Sequence, residues 1–294
     1  MQLILHPLRD FVDSFVDDMA VFSTQWAQHM THLERYLQAI KQSGLTLNLK
    51  KCEFAKSEVH FLGHLIGSGQ RHADPEKIAV IHKMKPPRDK KQVRQILGFF
   101  NFFREYIPNF AEMAKPLSDL TGKRVSGKLP WGENQEKAFS DLKESLCHAV
   151  DQPLQVVDFN KPFALFVDTS NHTVGAVCTQ PNDGLHKPVA FASSKLTSTQ
   201  RAWSTVEREA FAAIWALKRF RNWIFGKPVT VYTDHNPLTY LTEAASKSAK
   251  LMRWSLALQE YDVTFHYKKG KLNVAADCLS RMELSDDETE SPLN

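Results

Sequence analysis

Two apolar runs, FALFVD at residues 163–168 and VTVYTD at residues 229–234, decide the fold of the second half of this chain. Each has the length and the aliphatic and aromatic content of a buried β-strand, and each ends in an aspartate. If the two strands are parallel neighbours, Asp168 and Asp234 point from the same edge of one sheet. A lone acid at a strand end is usually an ordinary turn residue, whereas a group of such acids requires a shared partner.

Two further acids occupy equally unusual places. Glu209 opens the apolar, helix-like run EAFAAIWALKRF, and Asp277 lies in NVAADCLSR near an expected helix start. Four carboxylates in one compact segment repel one another unless cations neutralise them. Two divalent metal ions about 4 Å apart activate water and stabilise the leaving oxygen of a phosphodiester. The four acids therefore predict a metal-dependent phosphodiester site.

Glu207 is the alternative to Glu209. The two residues point about 200° apart on a helix, so only one of them can face the metal ions. Ser204 and Glu207 have the spacing of an N-terminal capping box, which gives Glu207 a structural role. The spacing favours Glu209 as the metal ligand and leaves the other assignment open.

The predicted elements of residues 129–282 follow the order of a mixed sheet with flanking helices. A three-strand meander, then helix, strand, helices, strand and helix, is typical of that architecture. We therefore predict the α/β (α+β) class, with a mixed five-stranded sheet, and an acidic disordered tail at 283–294. The expected elements are helices at 133–146, 204–224, 236–241, 246–259 and 273–281, and strands at 162–168, 173–179, 187–193, 228–233 and 261–267.

The first 70 residues are predicted to be the end of a larger domain, because they hold too little apolar sequence for a core of ordinary size. The run FVDSFVDDMAVFS at 11–23 indicates two short strands that meet at Asp17-Asp18. A helix is expected at 26–43. Strand-like pieces follow, LTLNLKKCEFA at 45–55 and VHFLGHLIG at 59–67.

Residues 71–128 are predicted to form a basic region with helices at 75–84, 89–106 and 109–121, followed by a linker. The segment 50–128 holds 16 basic and 8 acidic residues, whereas the whole chain of 294 residues carries a net charge of only +4. This concentration fits a surface that follows a polyanion, and a solvated helical surface is an equal alternative. The candidate nucleic-acid-binding residues are Lys90, Lys91, Arg94 and Arg104.

Residues 129–282 resemble the ribonuclease H domain of gypsy-class LTR retrotransposon Pol polyproteins. The resemblance implies two Mg²⁺ or Mn²⁺ ions and cleavage of the RNA strand of RNA–DNA hybrids, and it favours Glu209 over Glu207. The implied catalytic and metal-binding residues are Asp168, Glu209, Asp234 and Asp277. The matching stretches, in the order and spacing of the family, are FALFVDTSNHTVGAVCTQ, KPVAFASSKLTSTQRAWSTVEREAFAAIWALKRFR, VTVYTDHNPLTYL and KLNVAADCLSR.

The upstream part resembles the reverse transcriptase, an RNA-directed DNA polymerase, of the same polyproteins. The run Phe15-Val16-Asp17-Asp18 is similar to the aromatic-x-Asp-Asp hairpin of the polymerase palm, and residues 83–123 are similar to the thumb and connection. The family has a further metal-binding Asp on an earlier palm strand, and 16 residues precede Asp17 here. Asp10 and Asp13 are too near in sequence to replace that acid. We therefore expect a 5′-truncated polymerase whose site is incomplete, with Asp17 and Asp18 as its remnant.

Differences from the family are few in the second half. Many relatives have Ala where this chain has Thr169 and Tyr where it has Trp203, and neither change removes a ligand. The catalytic histidine of some ribonucleases H has no clear counterpart, because His266 lies in an expected strand and packs there. Three lysines flank the site and either hold phosphates or form a solvated turn: Lys268, Lys269 and Lys271.

We expect a metal-dependent ribonuclease H whose partners are an RNA–DNA hybrid, the nucleic-acid backbone, and a second copy or a longer Pol chain. Two alternatives stay open: a catalytically inactive or domesticated nucleic-acid-binding protein, and a scaffold subunit of a longer polymerase. No signal peptide and no apolar run near the roughly 18 residues of a membrane span are present, so no membrane association is expected. The 4 scattered cysteines favour neither disulfides nor a zinc site, and they indicate an intracellular location, in a cytoplasmic particle or the nucleus.

Overall fold

The computed structural model describes residues 2–122, 129–233, 249–267 and 292–293. The chain divides into two compact units, Met1–Ser68 and Gly69–Asn294, which we call the N-terminal unit and the C-terminal unit. The predicted boundary after residue 70 lies close to this division, and the one after residue 128 falls inside the C-terminal unit. Within the described ranges, no helix is both long and apolar enough to cross a membrane.

The N-terminal unit is built on a short hairpin and one long helix. Its core is small and is formed by Leu5, Leu8, Phe11, Val12, Tyr36 and Ile40. The predicted hairpin and the predicted helix are both present. The elements are α1 (Gln2–Leu5), β1 (Val12–Phe15), β2 (Asp18–Val21), α2 (Trp26–Gln42), β3 (Glu58–Phe61) and β4 (His64–Gly67), with 3₁₀ turns at His6–Leu8 and Leu49–Lys51.

One strand prediction in this unit is wrong. The stretch at 45–55 alternates apolar and polar residues, yet it contains the 3₁₀ turn Leu49–Lys51 and no strand. The Asn48 side chain accepts a hydrogen bond from the backbone N–H of Lys50 at 3.2 Å. An Asn that bonds its own downstream backbone stabilises a turn against an extended ladder, which explains the difference.

The first half of the C-terminal unit is helical. Asp74 and Asp89 cap the first two helices by accepting from the backbone N–H groups of Glu76 and Gln92 at 3.0 and 2.8 Å. The predicted helix at 109–121 is divided in two, and the predicted helix at 133–146 extends to Asp151. The elements are β5 (Gln70–Ala73), α3 (Pro75–His82), α4 (Lys90–Phe102), a 3₁₀ turn (Arg104–Tyr106), α5 (Phe110–Met113), α6 (Lys115–Asp119), α7 (Glu133–Asp151) and β6 (Leu154–Gln155).

One hydrophobic core joins the helices on both sides of residue 128. Phe100 and Leu117 come from the earlier helices, and Leu142 and Leu146 come from α7. The composition of residues 122–130 predicts a linker, and residues 123–128 of it lie outside the described residues. After it, α7 packs on the core of the preceding helices, because its apolar residues recur at helical spacing on the face toward them.

The second half of the unit is a mixed sheet, as predicted, with six strands rather than five. The sixth, β12, is a two-residue strand inside the predicted disordered tail, of which only residues 292–293 are described. The strand order is β12-β11-β10-β7-β8-β9, with β7, β10 and β11 parallel and the others antiparallel to their neighbours. The elements are β7 (Phe163–Thr169), β8 (Thr173–Asn182), β9 (Leu185–Lys195), α8 (Ser198–Arg201), α9 (Thr205–Arg219), α10 (Arg221–Ile224), β10 (Val229–Thr233), α11 (Ala249–Leu258), β11 (Val263–Tyr267) and β12 (Pro292–Leu293).

Alanines bring α9 close to the sheet. Ala210, Ala213 and Leu217 of α9 are fully buried in the same core as Leu165 and Val167 of β7. Small side chains on the contact face allow a helix to lie close to the strand it covers. The start of α9 is thereby fixed beside the end of β7, where the candidate site lies. The helices predicted at 236–241 and 273–281 lie outside the described residues.

Candidate active site

Asp168 is the penultimate residue of β7, and its side chain is exposed after a fully buried run. It is paired across the sheet with Gly175 of β8. Because successive side chains of a strand point to opposite faces, Asp168 shares the face of Phe166, and Thr169 shares the face of Val167 on which α9 packs. The end of β7 therefore offers one polar side chain to each face of the sheet.

Glu209 lies on α9 and approaches the end of β7 from the helix side. Its side chain is buried, with 4% of its surface exposed. The hydroxyl of Thr169 donates a hydrogen bond to Glu209 Oε1 at 2.7 Å. A buried carboxylate is costly unless polar groups surround it, and this bond supplies one of them. The structure thus brings Glu209 to the residue that follows Asp168.

Glu207 faces elsewhere and has a different set of partners. It forms the predicted capping box with Ser204, whose hydroxyl accepts from the Glu207 backbone N–H at 3.3 Å. Lys250 of α11 forms an ion pair with the Glu207 carboxylate and also lies over the rings of Trp203 and Trp254. Burial raises the pKa of Glu207, but the bonds from Lys250 and Ser204 outweigh it and hold the pKa below its ordinary value. These contacts give Glu207 a structural role.

The turn after Asp168 is fixed by its own hydrogen bonds. The Ser170 and Thr173 hydroxyls lie 2.9 Å apart, and Ser170 Oγ accepts from the backbone N–H of Thr173 at 3.0 Å. Arg208 of α9 donates to the Ser170 carbonyl at 3.3 Å and to Asn171 Oδ1 at 2.8 Å. Arg208 precedes Glu209 in α9, and its bonds stabilise the turn next to the candidate site. It is therefore not itself a candidate site residue.

Five of the predicted site residues lie outside the described residues: Asp234, Asp277, Lys268, Lys269 and Lys271. In the part of the chain that the structure describes, no group of three or more His, Cys, Asp or Glu side chains could hold a metal ion. Asp168 at the end of β7 and Glu209 on α9 each supply carboxylate oxygens, the donors that Mg²⁺ and Mn²⁺ prefer. The chemistry of Asp168 and Glu209 thus suits a hard divalent cation. The full set of four ligands stays a prediction.

The acids of the N-terminal unit stand at the tip of the β1–β2 hairpin. Phe15 pairs with Asp18, so Val16 and Asp17 form the two-residue turn between the strands. The turn is solvent-exposed, with Val16 at 73% exposure, and Val16 has a φ of +54°. A β-branched residue rarely adopts this left-handed conformation, which costs roughly 1–2 kcal/mol. Strain of this kind is common where a turn must hold functional groups in a fixed direction.

The four candidate nucleic-acid-binding residues divide into two pairs. Lys91 and Arg94 are exposed on α4. Lys90 donates to the Gly122 carbonyl at 2.8 Å. Arg104 donates to the Ser193 carbonyl of β9, and burial followed by the charge of Arg219 lowers its pKa. Arg104 and Lys90 are therefore engaged within the protein, which favours a structural role for both.

His266 packs in the sheet, as its strand position suggested. It lies in β11 opposite Tyr232 of β10, and the two rings are 5.6 Å apart. Thr169 is a further residue that the geometry places at the candidate site. The only sequence signal for it is its difference from the Ala that many relatives have at this position.

The sequence matches two families. Residues 158–261 match the RNase H-like domain found in reverse transcriptase, and residues 1–66 match the reverse transcriptase family, described as RNA-dependent DNA polymerase. The Pol polyprotein of the Drosophila melanogaster transposon opus is 36% identical over 278 residues, which cover 91% of this chain and 28% of the relative. A transposon Tf2-3 polyprotein from Schizosaccharomyces pombe is 33% identical over 282 residues, covering 94% of this chain and 21% of that protein.

Solved structures show the same relationship. The foamy viral protease-reverse transcriptase in complex with RNA/DNA hybrid is similar with a TM-score of 0.79 and 25% identity, over 100% of this chain and 39% of that one. Its complex with dsDNA gives a TM-score of 0.79 and 26% identity, over 92% and 56% of the two chains. The Drosophila gypsy polyprotein is 32% identical over 92% of this chain, which spans 27% of that relative's length. The chain therefore belongs to the Pol polyproteins of gypsy-class retrotransposons, and it carries a reverse transcriptase segment followed by a ribonuclease H-like domain.

Proposed function

We propose that this chain cleaves the RNA strand of RNA–DNA hybrids with the help of two divalent cations, Mg²⁺ or Mn²⁺. One observation carries the proposal: the buried Glu209 carboxylate accepts a hydrogen bond from Thr169, the residue that follows Asp168 at the end of the central strand β7. A buried acid costs free energy unless polar or charged groups offset it, and a bound cation would supply such a group at Glu209. The match of residues 158–261 to the RNase H-like domain found in reverse transcriptase supports the same function.

In this proposal Asp168 and Glu209 hold the metal ions, together with Asp234 and Asp277. The bound ions would supply an activated water and charge stabilisation at the scissile phosphate. Thr169 fixes the direction of the Glu209 carboxylate, and Arg208 fixes the turn that follows Asp168. These contacts preorganise the ligands before substrate arrives, which lowers the cost of assembling the site.

The exposed cations Lys91 and Arg94 would contact the nucleic-acid backbone. The hybrid and duplex complexes of the foamy viral enzyme support nucleic acid as the partner. Discrimination in favour of RNA would come from contacts with the 2′-hydroxyl groups and from the shape of the hybrid. A Lys or Arg that contacts only phosphates cannot distinguish RNA from DNA. The nuclease domain must therefore make the contacts that do so.

A non-catalytic nucleic-acid-binding protein is the second candidate, and the exposed basic pair on α4 favours it as much as it favours the enzyme. The test incubates the 294-residue chain with an end-labelled RNA–DNA hybrid and Mg²⁺. The Asp168→Asn variant should lose cleavage while it retains hybrid binding. Equal binding without cleavage in both proteins would overturn the enzyme in favour of the binding protein.

The matched control is Asp183→Asn. Asp183 lies with Gly184 in the β8–β9 turn at a φ of +53°, at the end of β8 remote from Asp168. Asn tolerates this left-handed conformation as well as Asp does, and Asn-Gly is a favoured hairpin turn. The same change of charge at this position should leave cleavage intact.

A further inference from the structure

A row of paired residues runs across three strands from the candidate site to the edge of the sheet. Asp168 of β7 is opposite Gly175 of β8, and Gly175 is opposite Ser193 of β9. Beside this row lies a small cavity of about 10 Å³, lined among others by Asp168, Gly175 and Asn109. Asn109 comes from the helical half of the unit, far from β7 in sequence and outside the match to the RNase H-like family at 158–261.

Asn109 reaches the row because two positions permit a close approach. A Cβ atom at Gly175 would lie 2.8 Å from Asn109 Oδ1, closer than ordinary contact allows, so the amide occupies the space that a side chain would take. Asn109 itself has a φ of +50°, a left-handed conformation that Asn tolerates better than other residues with a side chain. The amide therefore lies against bare backbone at the residue paired with Asp168.

Hydrogen bonds on either side hold the segment that carries Asn109. The backbone N–H of Ala111 donates to Ser193 Oγ at 2.8 Å, at the far end of the row. The Thr173 hydroxyl donates to Glu112 Oε2 at 3.0 Å, in the strand that contains Gly175. Both Thr173 and Ser193 are buried, so these bonds are protected from water. The segment 109–112 is thus attached to the sheet by its contact with Gly175 and by a bond on each side of it.

We propose that Asn109 is a positioning residue of the nuclease site, which holds the β7–β8 pair at Asp168 through its contact with Gly175. The inference rests on the proposed function and deepens it, because it assigns part of the site to the helical half of the unit. A rigid support next to a metal ligand keeps its carboxylate in place, and a displacement of about 1 Å can cost up to about a hundredfold in rate.

The test is a double-mutant cycle in the full chain, with Gly175→Ala, Asn109→Gly and the double variant. Gly175→Ala places a methyl group where the amide lies, and Asn109→Gly removes the amide while it keeps the left-handed backbone available. Each single change should lower kcat for hybrid cleavage about tenfold and leave KM unchanged. In the double variant the methyl group fills the vacated space, so kcat should recover toward the parent value.

The same cycle is measured without turnover, as the Mg²⁺ affinity of the protein alone by calorimetry. A merely structural contact would change the unfolding temperature and leave both the affinity and the kcat coupling unmoved. Gly98→Ala is the control, because Gly98 lies exposed on α4 and a methyl group there would contact no other part of the protein. This variant should leave kcat and Mg²⁺ affinity unchanged.

The outcomes separate the two claims. If the parent cleaves the hybrid but neither single change alters kcat, the positioning role of Asn109 is overturned and the proposed function stands. The same conclusion follows if the effects of the two single changes simply add in the double variant. A parent that neither cleaves the hybrid nor binds Mg²⁺ overturns the proposed function and this inference together. Recovery in the double variant, in kcat and in Mg²⁺ affinity, supports both.

Discussion

Thr169 Oγ1 donates a 2.7 Å hydrogen bond to Glu209 Oε1 and so ties the strand that carries Asp168 to the helix that carries the second acid. Thr169→Val removes the donor and keeps the shape. We expect it to destabilise the protein by about 1–2 kcal/mol, because a buried carboxylate loses a partner. We also expect Mg²⁺ affinity and cleavage to fall about tenfold, since partners of metal ligands typically matter to that degree.

Thr169→Ser is the matched control, because it keeps the hydroxyl and removes only a methyl group. It should restore most of the cleavage and the Mg²⁺ affinity measured by calorimetry. Equal losses in the Val and Ser variants would show that packing, and not the hydrogen bond, supports Glu209.

Glu209 and Glu207 should respond in opposite ways to the same substitution. Glu209→Gln removes a buried charge that the proposed metal site needs, so hybrid cleavage should fall below detection. Glu207→Gln retains the capping geometry and lies away from the site, so cleavage should stay near the parent value. Initial rates on a labelled hybrid decide between them, and the reverse pattern would assign the metal site to Glu207.

The stability contribution of Glu207 should depend on pH. Because its pKa is lowered in the folded protein, its ion pair with Lys250 stabilises the fold above the ordinary carboxyl pKa and is lost as pH falls through the folded-state value. Glu207→Gln should cost at most about 1 kcal/mol near neutral pH, and the difference from the parent should vanish in acid. Denaturant unfolding at neutral and acidic pH measures this difference. In a Lys250→Met background the Gln change should cost little at either pH.

Lys91 and Arg94 should contribute to nucleic-acid binding in a salt-dependent way. If each contacts a phosphate, Lys91→Gln and Arg94→Gln should each reduce the slope of log affinity against log salt by about 1, without altering the unfolding temperature. Arg104→Gln should lower the unfolding temperature and leave the salt slope unchanged, because the Arg104 guanidinium is bonded to the Ser193 carbonyl. Fluorescence titrations at several salt concentrations, with thermal melts of the same samples, separate the two classes. An unchanged slope in both exposed variants would remove α4 from the interface.

The polymerase motif should be inactive in these 294 residues alone. Asp17 and Asp18 are both at the hairpin tip. Asp13 lies in β1 of the same hairpin and not on a strand outside it. We expect no nucleotide incorporation on a primed RNA template under conditions that support hybrid cleavage. Primer extension that disappears in Asp18→Asn would contradict this expectation.

Local sequence pattern predicted most of the sheet and supplied the first candidate residues of the site. The runs at 163–168 and 229–234 became the parallel strands β7 and β10 because strand length, apolar content and a terminal acid are properties of contiguous sequence. The capping box likewise identified Glu207 correctly as a helix-start residue, since its signal spans four positions.

Contacts distant in sequence were beyond reach. β5 and β6 are short strands that pair with each other across the whole helical region, and no periodicity marks a two-residue strand such as Leu154–Gln155. The approach of Asn109 to Gly175 depends on a missing side chain in one half and a left-handed residue in the other. Neither feature has a meaning until the two halves are folded together.

The arginines that reach β9 have a consequence for any shortened version of this protein. β9 is the last strand of its sheet, and its carbonyls at Val189 and Ser193 accept from Arg71 and Arg104 of the helical half. A protein that begins at residue 158, and so retains only the family match, would expose those carbonyls along an unprotected strand. Exposed strand edges recruit other strands, so the shortened protein should self-associate and aggregate as its concentration rises. In the intact chain the two guanidinium groups thus cover this strand edge, in addition to joining the helical half to the sheet.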